Sequence, residues 1–79
     1  MQVTTKKIVD HREEVTYHDT YNVRVQIKKG VIVTVECLFE DGEFQDWKAK
    51  TDKDQKIIDK LSKTESGYLD EILEKVEID

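Results

Sequence analysis

His11, His18 and Cys37 are the side chains of this 79-residue chain whose types suit metal binding or a nucleophile–base pair. A structural zinc site draws on closely spaced thiols and imidazoles, as in CxxC or HxxxH, because its ligands must converge on one ion. None of the three residues stands in such a pair. A catalytic Cys–His pair fares no better. Cys37 belongs to an odd-numbered apolar row and points to the core, whereas His18 has the opposite parity. A thiol buried among apolar groups is inert rather than nucleophilic.

Carboxylates stand side by side at Glu13-Glu14, Glu40-Asp41 and Asp70-Glu71. Neighbours on a strand point to opposite faces and neighbours on a helix diverge, so none is a ready acid/base pair. There is no glycine-rich phosphate loop and no nucleophile motif. The residues therefore predict a non-enzymatic protein with no catalytic, metal or cofactor site.

Charge carries more information. Residues 1–63 hold 12 Lys/Arg and 12 Asp/Glu, while residues 64–79 hold Lys75 against six acids, so the whole net charge of −5 lies in the last sixteen residues. Asp70, Glu74 and Glu77 recur at i, i+4 and i+7, with Glu71 beside them. Like charges at that spacing weaken a helix slightly, and acids near its C-terminal end oppose the macrodipole. One explanation is solubility, or pairing with lysines of a preceding helix packed antiparallel. The other is an acidic surface that meets a basic one on a partner protein, such as a nucleic-acid-binding cleft, where charge steers association and fixes orientation. Lys53, Lys56, Lys60 and Lys63 form a basic stripe along that preceding helix. Asp52, Asp54 and Asp59 neutralise the region, and no aromatic residues alternate with the lysines to stack on bases, which argues against direct nucleic-acid binding.

The elements that position these residues centre on 21–44. Tyr21, Val23, Val25 and Ile27 alternate with polar residues, and Val31, Val33, Val35, Cys37 and Phe39 form a second apolar row. A three-residue loop, Lys28-Lys29-Gly30, sets Ile27 opposite Val31, Val25 opposite Val33, Val23 opposite Val35 and Tyr21 opposite Cys37. A two-residue loop at Lys29-Gly30 splits the faces. Asp41-Gly42 is a second hairpin signal and sets Phe39 opposite Phe44. Continued without interruption, that pairing sends Trp47 to the outer face near Leu38. Either a bulge after Phe44 returns Trp47 to the core, the commoner fate of a lone Trp, or Leu38 and Trp47 form an outer apolar patch that binds a partner.

Upstream, residues 2–9 read as a short strand or extended arm and 10–14 as a polar turn. Val15 and Tyr17 share parity with the row from Tyr21, which allows one long strand from about residue 14 to 28 or a hairpin at His18-Asp19-Thr20; no glycine there favours a tight turn, so the long strand is expected. Downstream, Thr51 caps a helix over about 52–63 with Ile57, Ile58 and Leu61 inward. Ser66 caps a second over about 67–77, whose stripe is Tyr68, Leu69, Ile72, Leu73 and Val76. The class is α+β: an antiparallel three- to four-stranded meander followed by two C-terminal helices on one sheet face, in a single domain over 1–79.

One thiol, no apolar N-terminal run and no stretch long enough to span a bilayer predict a cytoplasmic protein without membrane association. So small a core makes self-association credible. In size and charge the chain resembles small acidic inhibitor proteins of phages and mobile elements, a likeness that covers no particular residue. The function expected is a protein-binding module, regulatory or inhibitory, that engages a basic partner through Asp70, Glu71, Glu74 and Glu77, with Trp47 and Leu38. The alternative is a homo-oligomer joined through a sheet edge or the outer patch.

Overall fold

A computed structural model describes residues 1–76 and shows a four-stranded antiparallel meander followed by two helices. The strands are β1 (Gln2–Glu13), β2 (Tyr17–Lys28), β3 (Val31–Glu40) and β4 (Glu43–Ala49), in that spatial order. The helices are α1 (Asp52–Asp59) and α2 (Lys63–Glu74). The α+β class and the strands-then-helices order are as the sequence predicts.

The central hairpin has the expected register, with Val25 opposite Val33, Val23 opposite Val35 and Tyr21 opposite Cys37. Its turn differs in one detail. Lys28 pairs with Val31 across Lys29-Gly30, and the shift between Gln26 and Lys28 leaves Ile27 as an extra residue, not opposite Val31. A tight loop is thus compatible with the shared face because a bulge absorbs the slip. Gly30 takes φ +79 in that turn, where a side chain is disfavoured. Between β3 and β4, Asp41 (φ 50) and Gly42 (φ 82) form the doubly left-handed turn that suits a two-residue hairpin, and Phe39 faces Phe44.

The core lies on one face of the sheet. Val23, Val25, Ile27, Val33, Val35, Cys37 and Phe39 are buried there under Leu69 and Leu73 of α2, with Ile57, Ile58 and Leu61 packed at the margin. The opposite face carries the even-numbered residues of β2 and β3 and is open.

Three expectations at the ends of elements need correction. The N-terminal segment is one twelve-residue strand, not a short arm and a turn: residues 10–13 pair with β2, and the turn is Glu14-Val15-Thr16. As expected, no hairpin forms at 18–20, but β2 starts at Tyr17 rather than near 14. Two bulges, between Val3 and Thr5 and between Ile8 and Asp10, break the period-2 signal, and β1 is an edge with little buried surface to impose a pattern.

The helix boundary also moves. Thr51 caps α1 as expected, its side chain accepting from the backbone N–H of Asp54. But α1 ends at Asp59, and α2 starts at Lys63, capped by Ser62 and not Ser66. Ser62 Oγ accepts from the Glu65 N–H and Glu65 Oε1 accepts from the Ser62 N–H, both at 3.1 Å. This reciprocal box satisfies two helix-end donors, which a start at Ser66 lacks, and it leaves Gly67 inside the helix. Both hydrogen bonds from Ser62, backbone then side chain, hold the Glu65 carboxyl below its ordinary pKa.

Asp54 also joins the two layers. Its Oδ1 accepts from the backbone N–H of Thr34 at 3.1 Å and its Oδ2 from the Thr51 hydroxyl at 2.7 Å. β4 has ended by this point, so α1 takes over the edge of β3.

Candidate functional site

The exposed side of α2 is fixed by what its other side buries. With Leu69 and Leu73 inward and Ile72 and Val76 half-buried, Asp70, Glu71 and Glu74 are left exposed. Glu77 lies outside the described residues. The three acids do not share one environment. Asp70 Oδ1 accepts a 2.9 Å hydrogen bond from Trp47 Nε1, so this carboxylate also ties α2 to β4. Glu71 pairs with Lys75 one turn on at 3.3 Å, an exposed pair of small energetic weight. Glu74 has no hydrogen-bond or ion-pair partner among the described residues. The cation at the C-terminal end of α2 is its C-cap, Lys75, and it is paired with Glu71.

The expected cluster of Trp47 with Leu38 does not form. The register shifts between Leu38 and Phe39, so Gln45 is an extra residue, Asp46 faces Leu38, and Trp47 faces Cys37. This is the bulge alternative. Trp47 packs half-buried against the core beneath the helices, while Leu38 is exposed on the open face between Thr20 and Asp46.

The lysine stripe is interrupted as well. Lys53 and Lys56 stand on α1, Lys60 closes it, and Lys63 opens α2 beyond a change of direction. Among the described residues no ion pair joins these lysines to the α2 acids, so that pairing does not neutralise the acidic face.

Cys37 is fully buried, and burial pushes its thiol up to about 12. His18 faces Glu40 on the open side, with Nε2 2.9 Å from Thr16 Oγ1, so the two residues lie on different faces. Among the described residues there is no group of three His, Cys, Asp or Glu suited to hold a metal ion. Nor is any helix long and apolar enough to cross a membrane.

A cluster that sequence reasoning missed lies near the β1–β2 turn. His11 sits opposite Asp19, and its Nδ1 hydrogen-bonds to the Asp19 carboxylate while Nε2 lies 3.2 Å from Glu13 Oε1. Its ring stacks on Tyr17 with centroids 6.1 Å apart. The hydrogen bond to Asp19, then that to Glu13, raises the imidazole pKa from its ordinary 6.5. The available signal was the i, i+2 spacing of His11 and Glu13, which shares a face only once residues 10–13 are read as strand.

No protein-family model, characterised protein or solved structure matches this chain.

Proposed function

We propose that this chain is a small non-enzymatic protein-binding module, regulatory or inhibitory in role, that presents the exposed acids of α2 to a basic surface on a partner protein. The observation that supports this reading is the uncompensated charge at the C-terminal end of α2. Asp70, Glu71 and Glu74 are exposed within two turns, Lys75 offsets them locally, and among the described residues no ion pair joins the α1 lysines to them. Stability does not select such an arrangement, because acids at this end of a helix oppose its dipole and repel one another. Recognition does, since clustered charge orients a partner and speeds encounter.

The partner-facing residues are Glu71 and Glu74, with Asp70 shared between the surface and Trp47. The test is capture of partners from the native cell by the tagged full chain and by the double variant E71K/E74K, each at low and high salt. A partner held at low salt, released at high salt and lost to the variant supports the reading, provided far-UV circular dichroism shows the variant folded. A partner equally retained by the folded variant overturns it.

A further inference from the structure

A second interaction surface lies along the outer edge of β1. We propose that two copies of this chain pair antiparallel through β1 about a two-fold axis between Ile8 and Val9, continuing the sheet from four strands to eight.

β1 is twelve residues long, and among the described residues its strand pairing is on one side, with β2. An edge of that length presents a row of unpaired backbone groups that template another strand. Protection of such an edge usually comes from charge or from bulges, and β1 has both. Their arrangement, however, is symmetric in a way that protection does not require.

The bulge at Val9 produces the symmetry. In an uninterrupted strand Lys7 and Asp10 point to opposite faces, because side chains alternate. The extra residue between Ile8 and Asp10 cancels one alternation, so Lys7 (opposite Asn22) and Asp10 (opposite Thr20) both lie on the open face. By the same shift Lys6 (opposite Val23) and His11 (opposite Asp19) both lie on the helix-covered face, and Thr5 and Arg12 both on the open one. Reading outward from the Ile8–Val9 centre in either direction therefore meets the same sequence of faces. Antiparallel neighbours directly opposite each other must share a face, so this strand pairs with its own copy without sending any side chain to the wrong side.

The chemistry follows the same centre. Ile8 and Val9, each 46% exposed, are large apolar residues at the middle of an edge and come to lie opposite one another. Lys7 falls opposite Asp10 of the second copy, and the symmetry repeats that pair. Arg12, 3.7 Å from Asp10 within its own chain, stands on the same face beside it. On the helix side Lys6 falls opposite His11 of the second copy, whose ring is held between Asp19 and Glu13. Lys7 precedes the centre and Asp10 follows it, so head-to-tail pairing about this axis brings the two together twice. Moving the register one residue either way opposes residues of different faces, moving it two residues towards the C-terminus sets Lys7 against Arg12, and in-register parallel pairing sets each lysine against its own copy. The occupant is thus a second copy, joined by an isologous interface.

The experiment is sedimentation equilibrium of the full chain from micromolar to millimolar concentration, on wild type, K7E, D10K and K7E/D10K. The expected result is a mass tending to twice the 9.3 kDa of one chain. Each single reversal is expected to weaken dimerisation roughly tenfold, since the axis counts each change twice, and the double variant to restore it. Urea unfolding of each variant shows that it remains folded. A chain that stays monomeric to millimolar concentration overturns the proposal, and so does a dimer indifferent to both single reversals. Neither result touches the α2 reading, whose variants lie on α2 and not on β1.

Discussion

Trp47 Nε1 donates a 2.9 Å hydrogen bond to Asp70 Oδ1, so the indole of an outer strand and a carboxylate of the last helix hold each other in place. The bond gives Asp70 a structural duty that the other acids of α2 lack. Asp70→Ala is expected to cost about 1 kcal/mol, the worth of one hydrogen bond, and to leave the half-buried indole without its acceptor. Asp70→Asn, whose amide oxygen still accepts, is expected to cost less. Urea unfolding followed by Trp47 fluorescence measures both, and equal stability of all three proteins contradicts the link.

Ser62 and Ser66 offer a direct test of where α2 begins. Ser62→Ala removes a cap that forms half of a reciprocal pair with Glu65, and should destabilise the fold by about 1 kcal/mol. Ser66→Ala, inside the helix, should be neutral or slightly stabilising, because alanine is the better helix former. The reverse ranking in chemical denaturation places the cap at Ser66 instead.

Leu69 and Leu73 are the buried residues that α2 lowers onto the sheet. Truncating Leu73 to alanine removes buried methyl groups and leaves a cavity, at about 2–5 kcal/mol. A domain of this size has a total stability of the same order, so the variant is expected to be largely unfolded at ordinary temperature. Circular dichroism checks this, and a cooperative transition near that of wild type refutes it.

His11 makes stability depend on pH. Its folded pKa lies above the ordinary 6.5 because Asp19 and Glu13 accept hydrogen bonds from the charged ring. The folded state thus binds the proton more tightly than the unfolded one. The contribution is fully present below pH 6.5 and is lost as pH rises through the folded value. Replacement by Gln should remove that dependence, and an NMR titration of the His11 ring should show a midpoint above 6.5 that falls when Asp19 is changed to Asn. A midpoint at or below the ordinary value contradicts the cluster.

Cys37 should resist alkylation in the native state at pH 8, where burial holds its pKa at about 12, and react once denaturant unfolds the chain. Mass spectrometry after a short iodoacetamide pulse reads both outcomes, and rapid native labelling excludes the buried position.

The hairpin of β2 and β3, the Asp41-Gly42 turn and the inward faces of both helices, apart from Tyr68, which is 57% exposed, were legible in the residues alone. Each is a local, periodic signal: alternating valines read out a half-buried strand, an Asp-Gly pair reads out a left-handed turn, and Leu69 with Leu73 marks a helix stripe. The acidic charge of the C-terminal segment was equally legible, because charge is a property of composition. What the sequence left open were positions where periodicity breaks or where a partner is distant along the chain. The bulges at Ile27, Val9 and Gln45 each cancel one alternation, and their positions depend on pairing with a neighbouring strand rather than on the bulged segment. Trp47 therefore chose its face through β3, Asp70 acquired a second duty only when α2 crossed over β4, and His11 met Asp19 only when residues 10–13 joined the sheet. Local patterns determined the elements; long-range pairing, which alone sets register, decided which side chains meet.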